Sequence, residues 1–228
     1  MTTIGFIGLG NMGKGMSINL SNSDLEVIGY DANSKTYEQL KMTNIKTVND
    51  IKSVTEQSKI LITMLPDGKI VEEVWMEIIK CSKPGQYIID CSTIDVKTSI
   101  YTQKEAKNKK LFTLDAPVSG GVIGADNGTL TFMVGGDENI YNEVKYLFDI
   151  MGKNSILCGE IGAGQSAKIC NNLLLASTMI AVGDSFNLGK KLGLDLNKLF
   201  EVISSSSGSC WAVNSYCPIK GIGPVTPA

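Results

Sequence analysis

The sequence predicts an α/β fold, in which a doubly wound, mostly parallel sheet is followed by an all-helical second domain. Strand-like and helix-like segments alternate from residue 1 to about residue 160. A Gly-x-Gly-x-x-Gly turn joins the first strand to the first helix, and a long proline-free helical pattern begins near residue 165. We therefore predict a sheet domain over residues 1–161 and the first part of a helical domain over residues 162–228.

The first turn predicts the ligand of the sheet domain. It follows a short apolar strand, residues 3–7, and leads into a helix. In this context the first glycine permits the tight turn, the second lets backbone approach a pyrophosphate, and the third allows close helix packing. Free N–H groups at the helix start then face the phosphates. The turn thus predicts a Rossmann-type dinucleotide site formed by Gly8, Gly10, Asn11, Met12 and Gly13.

The end of the second strand supports that site. Residues 25–30 are apolar and strand-like, and Asp31 follows them at the distance expected of an acid that binds ribose hydroxyls. Ala32 and Asn33 come next, so no arginine is placed to bind a 2′-phosphate. The pattern therefore favours NAD over NADP.

The remaining elements follow in order along the chain. Strands are predicted at residues 59–65, 86–90, 111–114, 130–134 and 155–158, with helices at 70–79, 95–108 and 137–151. Ligands of such sheets bind outside the carboxyl ends of the strands. We therefore expect the loops at Pro66, at Ser92-Thr93 and after Asp115 to surround one crevice.

The second domain begins with a helix predicted over residues 165–192. It is apolar on more than one face, so several neighbours are needed to bury it. A shorter helix is predicted over residues 196–204, with Asp195 as its N-cap. One short helix cannot cover the long one, so we expect exposed apolar surface and self-association.

Composition excludes several classes of function. The net charge of −2 gives no indication of a nucleic-acid or anionic-membrane partner, and no apolar run reaches 18 residues. The first strand begins at residue 3, so no targeting presequence is expected in this chain. Six cysteines without a Cys-x-x-Cys pair, and no histidine, predict free thiols and no zinc site. Without histidine, proton transfer requires another side chain.

Two further segments have the composition of a substrate site. Ser119-Gly120-Gly121 is a glycine-rich turn that suits a small anion such as a carboxylate. Lys168 and Asn172 lie four residues apart and so share one face of a mostly apolar helix. The spacing alone is equally compatible with a lysine that extends its amine from the helix start into water.

These segments together resemble the β-hydroxyacid dehydrogenase family. Three blocks occur in the family's order, residues 5–13, 115–121 and 164–172, and the similarity covers the whole chain. Residues 90–95, 128–136 and 210–221 are most similar to the members that act on 3-hydroxyisobutyrate.

The resemblance implies an activity and a role for each matching residue. It implies NAD-dependent oxidation of 3-hydroxyisobutyrate, a small hydroxy acid, to methylmalonate semialdehyde in valine catabolism. Thr93 matches a residue beside the nicotinamide, and Ser119, Gly120 and Gly121 match the loop for the substrate carboxylate. Lys168 matches the catalytic lysine, and Asn172 matches the amide that holds the substrate.

The resemblance also implies an assembly and a location. A homodimer or homotetramer is expected through the helical domain, in the mitochondrial matrix if the source is eukaryotic and otherwise in the cytoplasm. The family's helical domain continues beyond the length of this chain and supplies a further lysine. We therefore expect a shortened chain with low activity.

Two other functions remain as alternatives. One is an NADP-linked reductase of small semialdehydes, against which Asp31-Ala32-Asn33 argues. The other is a non-catalytic module for dinucleotide binding or dimerisation. The shortened chain favours it, whereas the intact Lys168 argues against a member that has lost catalysis by mutation.

Overall fold

A single sheet organises the first part of the chain in the computed structural model, which describes residues 2–224. Within those residues nine strands have the order β3-β2-β1-β4-β5-β6-β8-β7, and β9 also pairs with β8. The pairs from β3 to β6 are parallel, whereas β8 runs antiparallel to β6 and to β7. The strands are β1 Thr3–Ile7, β2 Glu26–Tyr30, β3 Lys46–Thr47, β4 Ile60–Thr63, β5 Tyr87–Asp90, β6 Phe112–Asp115, β7 Val118–Ser119, β8 Leu130–Gly136 and β9 Gly152–Gly159.

Helices cover both faces of this sheet, which confirms the doubly wound fold. Residues of α1, α5 and α6 share one hydrophobic cluster with the sheet, and residues of α2, α3 and α4 share the other. The helices are α1 Asn11–Ser21, α2 Ile51–Gln57, α3 Gly68–Cys81, α4 Val96–Asn108, α5 Gly121–Asp126, α6 Glu138–Met151, α7 Ala163–Lys191, α8 Leu196–Ser205 and α9 Trp211–Asn214. Strand β1 shows how the sequence places them, because Ile4 and Phe6 pack on one face and Ile7 on the other.

The structure adds short elements that the sequence did not predict. They are β3, α2, β7, α5, α9 and a 3-10 helix at Ser34–Leu40. Most are too short to show a hydrophobic period, and β7 exists because its two residues pair with β8. The N-cap at Asp195 is confirmed, since its carboxylate accepts hydrogen bonds from the backbone N–H groups of Asn197 and Lys198.

The chain divides into two compact units inside α7, the first ending at Lys168 and the second beginning at Ile169. The sequence places its boundary between residues 161 and 162, just before this helix. In the second unit, residues of α7 and α9 form a small core that includes Val182, Phe186 and Val213.

Much of α7 in the second unit is exposed. The side chains of Leu173, Leu174 and Ile180 are each about two-thirds exposed. Within residues 2–224, these apolar side chains therefore lack the neighbours that the sequence predicts would bury them. By length and composition α7 is able to cross a membrane, a property shared by long core helices of soluble proteins. The expected absence of a membrane partner therefore stays a prediction.

Candidate cofactor and active site

The three glycines of the first turn have three different surroundings. Gly8 adopts a φ of +95°, and a Cβ there would lie 2.2 Å from the backbone oxygen of Met64. A Cβ at Gly13 would lie 1.8 Å from the backbone oxygen of Gly8, so helix and strand pack backbone to backbone. Gly10 is exposed, and a Cβ there would meet nothing within 4 Å. The turn thus leaves open space at the one glycine that a pyrophosphate is expected to approach.

The start of α1 completes this turn. Gly10 precedes the helix, the side chain of Asn11 is exposed and that of Met12 is half-buried. The first turn of α1 contains no acidic residue, so its N–H groups and helix dipole face no negative side chain of their own turn. The backbone therefore fits a dinucleotide phosphate.

Asp31 links the glycine turn to the end of β2. Its Oδ2 accepts a hydrogen bond of 2.7 Å from the backbone N–H of Leu9, and its Oδ1 accepts one of 2.7 Å from that of Asn33. Each carboxylate oxygen retains a further lone pair, so ribose hydroxyls can still donate to it. Asp31 therefore shapes the turn as well as offering a hydrogen-bond acceptor. The sequence had indicated only the second of these properties.

Polar side chains stand at the carboxyl ends of β4, β5 and β6. The strand register pairs Thr63 with Asp90 and Asp90 with Asp115. Burial raises the pKa of Asp90 to about 6, although the Thr63 hydroxyl and the backbone N–H of Ser92 donate hydrogen bonds to its Oδ1. Burial also raises the pKa of Asp115. Sequence reasoning did not single out these two carboxylates, although an acid that closes an apolar strand was a signal.

Thr93 lies just beyond this row of strand ends. Its side chain is exposed, while Ser92 and Ile94 on either side are buried. The Ser92 hydroxyl accepts a hydrogen bond of 2.8 Å from the backbone N–H of Leu65, which ties the loop after β5 to the loop after β4. The Thr93 side chain is thus held at the carboxyl edge of the sheet and stays open to a ligand.

The loop predicted to bind a carboxylate begins as a strand. Ser119 pairs with Thr131 of β8, and Gly120 and Gly121 follow with φ values of +134° and +61°. Both glycines are exposed, and a Cβ at Gly121 would meet nothing within 4 Å. The backbone is therefore accessible where the sequence places the substrate carboxylate.

Lys168 lies in the second turn of α7 and is only 9% exposed. Burial lowers the pKa of its amine below the ordinary lysine range. Among residues 2–224 no ion pair is formed between this amine and a carboxylate. The structure therefore argues against a lysine extended into water. Asn172 follows four residues later on the same helix, in the second unit, with an exposed side chain.

In the first unit, the predicted cofactor and substrate residues follow the carboxyl ends of several strands of the one sheet. The glycine turn follows β1, Asp31 follows β2, Thr93 follows β5 and the Ser119 loop is formed at β7. Such an edge can bind a dinucleotide beside a small acid, with a lysine of reduced basicity in the helix that comes next. The roles assigned to the individual residues remain predictions.

Two protein-family models match the chain. Residues 3–159 match the model described as the NAD binding domain of 6-phosphogluconate dehydrogenase. Residues 162–221 match the model described as "NAD-binding of NADP-dependent 3-hydroxyisobutyrate dehydrogenase".

Individual relatives agree with these models. The chain is 40% identical over 228 residues to a probable 3-hydroxyisobutyrate dehydrogenase of Mycobacterium tuberculosis, covering 100% of this chain and 78% of that protein. It is 42% identical over 224 residues to the mitochondrial 3-hydroxyisobutyrate dehydrogenase of Mus musculus. That match covers 97% of this chain and 67% of the mouse protein. A solved structure of the Mycobacterium tuberculosis enzyme with L-serine matches with a TM-score of 0.95 at 40% identity, covering 100% of this chain and 78% of that one.

Proposed function

The chain belongs to the β-hydroxyacid dehydrogenases, with 3-hydroxyisobutyrate dehydrogenases among its relatives, and from that premise we propose that it oxidises 3-hydroxyisobutyrate with NAD. The product is methylmalonate semialdehyde, an intermediate of valine catabolism. The observation that carries the proposal is Lys168, a buried lysine of lowered pKa that follows the carboxyl edge of a dinucleotide-binding sheet.

Lys168 serves as the base in this reaction. A free lysine has a pKa of about 10.4, so only about 1 in 2,500 is neutral at pH 7. Burial favours the neutral amine, which can accept the proton of the substrate hydroxyl, while the substrate carboxylate acts in the opposite direction. A pKa of roughly 7–8 suits a base that works near neutral pH. NAD, when bound, would accept the hydride from the carbon that bears the substrate hydroxyl.

The substrate carboxylate binds at Ser119, Gly120 and Gly121 in this proposal. The accessible backbone of the two glycines supports that role, since N–H groups in such turns bind small anions. Thr93 lies beside the nicotinamide, and the Asn172 amide helps to hold the substrate.

Asp31 makes NAD the preferred cofactor. Its carboxylate repels a 2′-phosphate, and the exposed residues Ala32 and Asn33 offer no positive charge. Lys35, also exposed, is the nearest cation along this loop. Calorimetric titration with NADH and with NADPH tests the preference, and Lys35→Ala is the matched variant. Equal or tighter binding of NADPH would overturn the proposal, and loss of that binding in Lys35→Ala would identify the NADP-linked alternative.

The catalytic role of Lys168 is tested by two substitutions. In a version of the protein that carries the full helical domain, Lys168→Ala removes the base and is expected to lower kcat/KM for 3-hydroxyisobutyrate by about 10²–10⁴-fold, with NADH binding nearly unchanged. Lys168→Arg keeps the positive charge but cannot give up a proton near neutral pH, so it should be equally impaired. Lys153, an exposed lysine of β9, gives the control variant Lys153→Ala.

The outcome separates the proposed enzyme from its alternatives. Retention of more than about half of kcat/KM in Lys168→Ala corresponds to less than about 0.4 kcal/mol and would show that Lys168 is structural. NADH binding without any turnover in the unsubstituted version with the full helical domain would favour the non-catalytic dinucleotide-binding module.

Self-association through the helical unit is part of the proposal. The exposed apolar residues Leu173, Leu174 and Ile180 form a surface that water solvates poorly. Light scattering of the purified chain should detect a dimer or a larger species. Leu173→Glu should shift the population toward monomer, whereas Asn171→Glu, at an exposed polar position of the same helix, is the control. We place the chain in the mitochondrial matrix if its source is eukaryotic, and otherwise in the cytoplasm.

A further inference from the structure

The buried carboxylate of Asp115 caps the start of α7 from outside the helix. It is fully buried at the carboxyl end of β6. Its Oδ1 accepts hydrogen bonds from the backbone N–H of Gly162 at 2.7 Å and from the side chain of Gln103 at 2.9 Å. Its Oδ2 accepts one from the backbone N–H of Gln165 at 2.9 Å. Two otherwise unsatisfied donors at the start of α7 thus share one acceptor group on the sheet.

The side chain of Gln165 extends this connection to the loop after β5. It is also fully buried, and its Nε2 donates to the backbone oxygen of Ser92 at 2.8 Å. Its Oε1 accepts from the backbone N–H of Ile94 at 3.1 Å. These two bonds lie on either side of Thr93, so one glutamine fixes the backbone on both flanks of that residue.

Two glycines let the helix and the sheet approach this closely. A Cβ at Gly135 of β8 would lie 2.6 Å from Asp115 Oδ1 and 2.7 Å from the backbone nitrogen of Gly164. A Cβ at Gly164 would lie 2.3 Å from the backbone oxygen of Met133. The first turn of α7 therefore rests on backbone, with little room to shift.

Gln165 and Lys168 lie three residues apart, so they share one face of α7 about one turn apart. The side chains of Asp115 and Gln165, with the hydrogen bonds described above, form what we call the Asp115–Gln165 clasp. We infer that this clasp positions the Lys168 amine relative to Thr93. Both side chains are positioning residues, and the inference rests on the proposed function of Lys168 as the base.

The physical consequence is a fixed distance between the base and the edge where the nicotinamide is expected. Rigid placement of the catalytic group contributes to rate, and a displacement of about 1 Å can cost about 10²-fold. The clasp also limits hydration of the amine, because a looser first turn would admit water beside Lys168. Loss of the clasp should therefore affect both the rate and the basicity of Lys168.

Gln165→Met tests the clasp, since methionine keeps the length of the side chain and removes its hydrogen bonds. We expect kcat to fall by about 10–100-fold, with KM for NAD within about twofold of the unsubstituted protein. The acidic limb of the kcat–pH profile should move to higher pH. Ser166→Ala is the control, because Ser166 lies in the same turn with an exposed side chain, and its hydroxyl donates to the backbone oxygen of Gly162 without contacting Asp115 or Gln165.

A second readout does not depend on turnover. Methylation of the lysines with isotope-labelled formaldehyde gives one NMR signal for Lys168, identified by its loss in Lys168→Arg. The pKa from that signal should rise in Gln165→Met and remain unchanged in Ser166→Ala. Asp115→Asn is a second variant with the same expected changes, because its amide nitrogen would face a backbone N–H at either position.

The outcomes separate the clasp from the proposed function. If Gln165→Met and Asp115→Asn lower the melting temperature but leave kcat, its pH profile and the Lys168 pKa unchanged, the clasp only stabilises the fold and the inference is wrong. If Lys168→Ala keeps its activity, the proposed function is wrong, while the NMR pKa still tests the clasp.

Discussion

Replacement of Asp90 by asparagine should remove a pH dependence from the stability of the first unit. Burial raises the pKa of Asp90 from 3.8 to about 6. In the folded state the carboxyl therefore holds its proton at pH values where the unfolded chain has lost it. The contribution of Asp90 to the free energy of unfolding is consequently greatest below its pKa in the unfolded chain, and it declines as pH rises through about 6. The difference between the two pKa values corresponds to a loss of about 3 kcal/mol.

The assay is urea unfolding of the unsubstituted and Asp90→Asn proteins at several values from about pH 4 to about pH 8. Trp75 is a suitable fluorescent probe, since it is fully buried and its indole N–H donates to the Thr63 hydroxyl that also donates to Asp90. Both proteins should carry Trp211→Phe, because that tryptophan lies in the second unit and is 54% exposed.

The comparison between pH values decides the result. Asparagine can accept the same two hydrogen bonds through its oxygen, but its amide nitrogen adds a donor. The substitution therefore also changes the free energy of unfolding by an amount that does not depend on pH. The unsubstituted protein should lose about 2.4 kcal/mol more than Asp90→Asn between about pH 4 and about pH 8, because part of the total loss occurs below pH 4. Asp184→Asn, at an exposed position of α7, should leave the profile unchanged. Profiles for Asp90→Asn and the unsubstituted protein that agree within about 0.5 kcal/mol would refute the reasoning.

The remaining predictions concern the cofactor turn. Gly10→Ala should leave the melting temperature unchanged but weaken NADH binding at least about tenfold, because its Cβ enters only the space expected to hold the pyrophosphate. Gly13→Ala should destabilise the fold by about 3 kcal/mol, since its Cβ would collide with the Gly8 oxygen. Similar urea midpoints for Gly10→Ala and Gly13→Ala would show that at least one of these two expectations is wrong. Asp31→Ala should narrow the difference in affinity between NADH and NADPH. It should also weaken NADH binding, because the backbone N–H of Leu9 loses its hydrogen-bond acceptor. An unchanged NADH affinity in calorimetry would contradict the second expectation.

The sequence predicted most strands of the sheet and the glycine turn after β1, because local patterns encode both. Alternating strands and helices, and glycines at fixed spacing, depend on neighbours within a few residues of one another. The short elements β3 and β7 depend on pairing with distant strands, which no local pattern reports.

The sequence was less informative about the groups that hold the site together. Asp115 and Gln165 stand in segments that it did single out, but their hydrogen bonds join residues up to 73 positions apart. The double role of Asp31 was hidden for the same reason, since Leu9 lies 22 residues before it. For Lys168, spacing left a buried and a solvated amine equally open, whereas the structure shows a side chain that is only 9% exposed.

The contact between Gly135 and Gly164 has a consequence for anyone who diversifies this protein. A Cβ at Gly135 would lie 2.7 Å from the backbone nitrogen of Gly164, and one at Gly164 would lie 2.3 Å from the backbone oxygen of Met133, so no rearrangement of rotamers can absorb an added methyl group. A library that randomises every position of β8 and early α7 should recover glycine at both positions with almost no exception. Exposed positions such as Val122 and Ile123, which follow the Ser119 loop, should accept many residues. Under the proposed role of that loop, attempts to change which acids the protein accepts should therefore begin there and leave the joint between β8 and α7 untouched.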